Sequence, residues 1–508
     1  MVLLPVTLIA ASLFAAAGDS PSAYLAAARK ALELRNIQEA KKQLGLALQA
    51  NPQMAEAWLM LAGAEIENGE TGPAIEHYQH ALRLAPESFT GHYDLALAYL
   101  HERKLTEARH ELEYAVKLDP RQPDAAYNLG MVLLELRDAG GAVKSLRGAR
   151  AIQPDRPDIA FNLIRAELAS GDWAGARKAR ESSSPSFAAD AAWQASVGKL
   201  FLESGHPQDA VPALRQAFQL QPAAVEVRDL LASAYVQSRQ PDLALALIPV
   251  ANTADEHFLR GSALLVERRV SEAESEAASA LSEKPQEPQY LLLGARVQQT
   301  EGHQDAAVEL LRRAAEQAPE SAEPYYSMAV SYYFEHRYEQ SRDALAQSLK
   351  RSPDAPGSLF LFAVTLVNQG NNREAEKYLQ RAIALQPDNS RYWLHLGTVR
   401  FRNGNAAAAR EAFLRAVQLK PDYALPHYEL GKLLAHSDAR TALEELQKAV
   451  TYEPGLAQAY YQLSRVAAAL GQKEKSEQAL ATFNRLKKHE EGEERTLTED
   501  VNGELQHP

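Results

Sequence analysis

Apolar and small side chains recur at helical spacing along most of the chain, and the pattern repeats itself every 34 positions. In AEAWLMLAGAEIENG (55–69), Trp58, Leu61, Ala62 and Ile66 fall on one helical face, and Asn68-Gly69 marks a helix end. PAIEHYQHALRLAP (73–86) then puts Ala74, Tyr78 and Ala81 on one face, and Pro86 stops the chain from continuing as helix. Each period therefore predicts two amphipathic helices joined by a short turn. The prolines keep the beat: Pro52, Pro86, Pro120 and Pro154, then Pro222 two periods on, then Pro285, Pro319, Pro353, Pro387, Pro421 and Pro454. Fourteen units follow, starting at 21, 55, 89, 123, 157, 191, 225, 254, 288, 322, 356, 390, 424 and 457. Twelve are 34 residues long, the unit from 225 has 29 and the unit from 424 has 33.

Two positions in the unit are reserved for small side chains. Position 8 is Gly or Ala in twelve units, and position 20 is Ala in twelve and Ser in two. Antiparallel helices approach closely only where no large side chain intervenes. Larger residues at positions 7, 11 and 24, such as Leu95, Tyr99 and Leu112, fill the space between neighbouring hairpins.

This pattern resembles the tetratricopeptide repeat family, whose unit carries W…L-G…Y…A…F…A…P. In the unit from 390 the match is Trp393, Leu396, Gly397, Ala409, Phe413, Ala416 and Pro421, with Arg400 in place of the tyrosine. The resemblance covers about 470 of the 508 residues. It implies an all-α fold, a right-handed α-solenoid superhelix of about 14 hairpins whose first helices line a concave surface. A single hairpin cannot bury its apolar face alone, so stability is expected from contacts between neighbours.

Two stretches depart from the pattern. In the unit from 157, Arg180 takes position 24 and Ser182-Ser183-Ser184-Pro185-Ser186 breaks the second helix. The unit from 225 lacks five residues and carries Pro249, expected late in its second helix; Pro212 lies inside the helix before it. The expected organisation is an N-terminal arm (21–179), an irregular and possible hinge segment (180–253) and a C-terminal arm (254–490). LATFNRLKK (480–488) completes a last helix, and residues 491–508 are expected to form an acidic disordered tail. At the other end, residues 2–17 are uncharged and apolar, and Ala15-Ala16-Ala17 offers the small-residue cleavage pattern of a signal peptide. No Lys or Arg precedes the run. A cleaved signal over 1–17, with a periplasmic or secreted product, is the expectation; an N-terminal membrane anchor or a cytoplasmic chain is the alternative.

Charge narrows the partners. The balance is 54 − 66 = −12, and seven acids with one Arg in the last twenty residues supply half of it, so no basic footprint for nucleic acid exists. There are no cysteines, hence no disulfides or thiolate metal sites. No phosphate loop, H-E-x-x-H or G-x-S-x-G motif occurs. His77 and His80 stand three apart on a second helix without a third ligand and read as exposed polar residues. The units leave no room for a catalytic domain. The expectation is no enzyme, no cofactor, no metal and no membrane span in the mature chain.

In the family, ligand peptides commonly meet first-helix positions 2, 5, 6, 9, 12 and 13. Position 5 here is aromatic at Tyr93, Tyr127, Phe161, Phe258, Tyr326, Phe360, Tyr428 and Tyr461. These rings suit inter-repeat packing or ligand contact alike. Position 6 carries Asp94, Asn128, Asn162 and Ser196, then Leu230, Leu259 and Leu293, then His395, Glu429 and Gln462. Amides there can bond a peptide backbone through donor and acceptor, and are expected to serve a ligand rather than packing. The adjacent pair Asn128 and Asn162 is similar to the asparagine ladder of O-linked N-acetylglucosamine transferases, over two rungs only. Position 9 is basic at Arg29, Arg165, Lys199, Arg296, Lys432 and Arg465, and Arg165 with Lys199 forms a candidate anchor for an acidic group. Acids at position 2 (Glu56, Asp124, Asp158, Glu226, Asp255, Glu323) are accounted for by the helix dipole. No unit has the position-5 Lys of the carboxylate clamp that binds chaperone C-termini. The expected partner-binding set is Tyr93, Asp94, Tyr127, Asn128, Phe161, Asn162, Arg165, Ser196, Lys199, Tyr428, Lys432, Tyr461 and Arg465. The expected function is a non-catalytic scaffold or adaptor for protein or peptide partners at the cell envelope. The alternatives are a cytosolic regulatory or substrate-recruiting arm for a separate enzyme such as a glycosyltransferase, and an array that self-associates end to end.

Overall fold

The computed structural model describes residues 20–489; the expected signal segment (1–17) and the expected acidic tail (491–508) lie outside them. Among the described residues there are 29 α-helices and no strands. Twenty-eight of these helices alternate as the first and second helices of fourteen repeats, and thirteen of the fourteen first helices begin on the residue given by the periodicity; the other begins one later, at Glu323. None is long and apolar enough to cross a membrane. By contacts the chain divides into two compact units, Met1–Leu243 and Ala244–Pro508.

Within each unit the small positions form the seam of most hairpins; the fifth has the buried Ile164 at position 8. In the first, the position-20 residues Ala40, Ala74, Ala108, Ala142 and Ala210 are fully buried, as are Ala28, Ala62 and Ala96 at position 8. A Cβ on Gly198 would stand 2.4 Å from Leu214, and one on Gly130 would stand 2.5 Å from Leu146. In the second unit, Gly397 faces Phe413 at 2.4 Å and Gly431 faces Leu446 at 2.5 Å. Position 24 thus lies on position 8 of its own hairpin, and at these glycines the two helices are as close as backbone and side chain allow.

The prolines do more than end helices. The ring N–H at position 4 donates to the carbonyl of the preceding unit's proline: Trp58 to Pro52 at 2.8 Å, His92 to Pro86 at 2.9 Å, Trp393 to Pro387 at 2.8 Å and His427 to Pro421 at 2.9 Å. Those carbonyls lie beyond a helix end and would otherwise lack an intrahelical partner. The turn within a hairpin is equally regular. Position 15 takes a left-handed conformation in every hairpin except the one from 424, where the missing residue is this one. Gly fills it seven times, at φ from +72° to +83°. Arg35, Arg103, Arg137, Arg239, Arg268 and His336 adopt it at φ +54° to +61°.

Two hairpins are incomplete. In the fifth the second helix is cut to Trp173–Glu181, and the hydroxyls of Ser182 and Ser183 donate back to the carbonyls of Lys178 (2.6 Å) and Ala179 (2.8 Å). Such back-bonds compete with helix continuation, and a single turn, Pro185–Ala188, follows. In the seventh, the second helix is only Pro241–Leu247. Pro249, expected inside it, lies past its end, and Arg260 donates to the carbonyls of Ile248 (2.6 Å) and Pro249 (2.8 Å). Pro212 does sit within a helix, Pro207–Leu220.

Candidate functional site

Four consecutive first helices of the first unit, Phe89–His101, Pro123–Glu135, Pro157–Ala169 and Ala191–Glu203, carry the densest group of expected contact residues. Because each hairpin repeats the last, position 5 of one helix comes beside position 6 of the next. Asn128 Nδ2 donates to the Tyr93 hydroxyl at 3.0 Å, and Asn162 Nδ2 donates to the Tyr127 hydroxyl at 3.2 Å. Asn162 also donates to the Asp158 carbonyl at 2.9 Å and is 7% exposed. Amides on this face do therefore gain from packing between hairpins, contrary to what the sequence suggested. Tyr93, Tyr127, Asn128 and Phe161 remain half-buried, each presenting an edge to solvent.

The electrostatics vary along the row. Burial pushes the Asp94 carboxyl up to about 6. Burial, then the nearby Asp124 and Asp94, hold the Tyr93 phenol above its ordinary value. Around Tyr127 cations offset more of the negative charge. Arg156 lies over its ring at 5.3 Å and bridges Asp124 and Asp158, holding the Asp158 carboxyl below its usual range. Arg165 is close enough to draw the Tyr127 phenol downward against burial and Asp158, which leave it raised overall.

Two of the position-9 bases, Arg29 and Arg296, form a pairing between hairpins that the sequence reading missed, and Arg165 lacks its counterpart. Arg29 pairs with Glu56, and Arg296 with Glu323 at 2.9 Å; in both the acid stands at position 2 of the next hairpin, 27 residues on. The equivalent of that acid for Arg165 is Ala192. Half-buried beside Tyr127, Arg165 makes no ion pair among the described residues. Lys199 is exposed and also forms none, although Glu226 stands 27 residues on. Opposite charges 27 apart mark the pairs at Arg29 and Arg296, but the same spacing at Lys199 and Glu226 gives none. Ser196 is exposed, and its hydroxyl donates to its own helix, to the Ala192 carbonyl at 2.8 Å.

The second unit does not repeat this arrangement. Its position-6 residues Leu259, Leu293, Ser327, Leu361, His395 and Glu429 are all buried and Gln462 is half-buried, so of the polar residues expected there His395 and Glu429 are enclosed. Lys432 is taken up by Glu429 at 2.6 Å and lies 5.1 Å over the Tyr428 ring. Burial and then Glu429 push the Tyr428 phenol up to about 12. Tyr461 is 42% exposed; its ring lies 5.2 Å from Phe483 with Arg465 above it at 5.9 Å. His77 and His80 both pack on Trp58, with His77 Nδ1 2.7 Å from the buried Glu65. Among the described residues no group of three or more His, Asp or Glu could hold a metal ion.

A tetratricopeptide repeat model matches residues 25–89, 93–157, 198–256 and 360–424; two further models of the same repeat match 133–200 and 457–489. The chain belongs to the tetratricopeptide repeat family. Similar solved structures include the anaphase-promoting-complex hetero-tetramer Cut9–Hcn1, 16% identical over 88% of this chain and 98% of that one, with a TM-score of 0.45. Another is Naa15/Naa10 bound to HypK-THB, 16% identical over 92% and 75%, TM-score 0.38. A third is YrrB, described as a tetratricopeptide repeat protein with an unusual peptide-binding site, 22% identical over 36% and 95%, TM-score 0.32. No curated protein matches the sequence. The tetratricopeptide repeat array accounts for nearly all of the described residues, and its fold is that of an interaction scaffold.

Proposed function

We propose that this tetratricopeptide repeat protein is a non-catalytic scaffold that holds a protein partner along the first-helix face of its first unit, with an acidic group of the partner seated at Arg165 and Lys199. The observation that carries this reading is Arg165, a half-buried guanidinium whose expected counter-charge is replaced by Ala192. A carboxylate arriving there meets a planar donor fork, with the Tyr127 and Phe161 rings available for apolar contact. Asn128 and Asn162 serve chiefly to hold that wall in shape. Residues 20–489, immobilised and exposed to lysate of the source cell, should retain a partner that the Arg165→Glu, Lys199→Glu variant releases. The same proteins retained by both would remove the assignment.

We place the protein outside the cytoplasm on the strength of the apolar run and the Ala15-Ala16-Ala17 pattern alone. Amino-terminal sequencing of the purified protein should begin near Gly18, whereas an intact Met1 would point to the cytosolic regulatory arm. We also propose that residues 180–253 open more readily than the arms around them. One shortened second helix, Trp173–Glu181, ends at the start of that span and another, Pro241–Leu247, lies within it, and a weak unit lowers the coupling along a one-dimensional array. Hydrogen exchange there as slow as in 89–169 would dismiss the hinge.

A further inference from the structure

The second helices of the eighth and ninth hairpins, Val270–Glu283 and Gln304–Gln317, leave a cleft of about 390 Å³ between them, floored by the first helix Pro288–Thr300. Three of its lining positions carry small or polar residues where other hairpins carry larger ones. Position 24, a buried leucine at Leu112, Leu146 and Leu214, is Ala277 here. Position 7, leucine at Leu95, Leu129 and Leu163, is Gly294. Position 11, Tyr99 in the third hairpin, is Gln298.

The walls are the half-buried Leu281 and Leu310, and the mouth is narrowed only by the exposed methyls of Ala278 and Ala306. Glu274 and Glu309 stand at the rim. The helix Val270–Glu283 holds four glutamates and no Lys or Arg. Three of the four are engaged: Glu272 by Arg269, Glu276 by His257 and Arg260, and Glu283 by the Ala254 N–H. Glu274 meets a Gln298 amide at 3.4 Å. Glu309 is in an exposed pair with Arg312, an interaction of little net worth that an incoming cation can replace.

We propose that this cleft, distinct from the first-helix row, takes the apolar face of an amphipathic helix from a protein partner, whose Lys or Arg side chains answer Glu274 and Glu309. Two parallel helices with an apolar trough between them are the geometry into which a third helix packs. Charge complementarity chooses the occupant. Residues 490–508 carry seven acids and one Arg, so the rim repels them, and residues 2–17 offer no positive side chain.

The test uses residues 20–489 and two fluorescein-labelled synthetic helices at about 150 mM salt, where diffuse attraction is screened. Both helices place Leu at i, i+3, i+4 and i+7; one flanks the stripe with Lys, the other with Glu. The Leu/Lys helix should bind the wild-type chain and the Leu/Glu helix should not. Ala278→Tyr, at an exposed position, fills the mouth and should weaken binding about ten-fold or more, as expected for loss of a central apolar anchor. Glu274→Lys with Glu309→Lys should invert the preference between the two helices. Arg165→Glu should leave binding unchanged, which separates this cleft from the first-helix row. No binding of the Leu/Lys helix, or equal binding by wild type and Ala278→Tyr, would overturn the proposal. So would a wild-type chain that dimerises on sedimentation while Ala278→Tyr does not, since the occupant would then be a second copy.

Discussion

Asn162 crosses the boundary between two hairpins to bond the Tyr127 hydroxyl at 3.2 Å while its second amide hydrogen is held by the Asp158 carbonyl at 2.9 Å. Its neighbour Asn128 makes the same crossing to Tyr93. Loss of a buried, doubly bonded amide should cost about 1–2 kcal/mol. Asn162→Ala is therefore expected to destabilise the fourth and fifth hairpins by that amount, and the half-buried Asn128 to matter less. A double-mutant cycle with Tyr127→Phe, read by hydrogen exchange of the amides in 157–169, should give a coupling of about 0.5–1 kcal/mol. Additive single effects would show the bond to be idle. It follows that Arg165, not the asparagines, is the clean probe of partner binding.

The turns offer a gain in stability. Arg103 and Arg137 are exposed and held at φ +55° and +61°, a region disfavoured for any side chain with a Cβ. Arg103→Gly and Arg137→Gly should each stabilise their hairpin by about 0.5–1 kcal/mol. Gly370→Ala, at φ +81°, should do the reverse. Urea midpoints that move the other way would mean the arginine side chains contribute more than their backbone costs.

At the seam, Gly397→Ala would drive a methyl to 2.4 Å from Phe413 Cε1. Overpacking of this kind costs about 1–3 kcal/mol. The third hairpin already carries the smaller pairing, Ala96 with Leu112, both fully buried. Phe413→Leu in the Gly397→Ala background should recover much of the loss, and a melting temperature no higher than that of Gly397→Ala alone would contradict the steric account.

Asp94 sets a pH dependence. Its folded value of about 6 lies above the roughly 3.9 of an unfolded aspartate, so the folded chain binds more protons between the two. Stability should fall as pH rises through that window and stay lower above it. Asp94→Asn removes the penalty: a gain of about 1 kcal/mol at pH 7.5, after allowance for partial solvent contact, and none at pH 4. An equal gain at both values would show that burial of the charge is not the cause.

Helix starts, seam residues and stopping prolines were all readable in the chain, because each depends on one residue type recurring in phase. The tyrosine–asparagine bonds were not, since Tyr93 and Asn128 are 35 apart and a search in register compares position 5 only with position 5. The cleft was equally hidden, because nothing in the chain marks it except small or polar residues at Ala277, Gly294 and Gln298 where other units carry larger ones. Enclosure of Leu259, Leu293 and His395 could not be read at all, because it depends on how closely successive first helices pack.

The hairpin from 424 gave up its left-handed residue and kept Gly431 against Leu446. Its connector is thus expendable where its seam is not. An architecture of this kind can be lengthened or shortened by whole modules, or trimmed at its bends, without renegotiating any other interface. Its reach toward a binding protein is set in integer steps, and the natural currency of its divergence is the number of modules rather than the depth of any core.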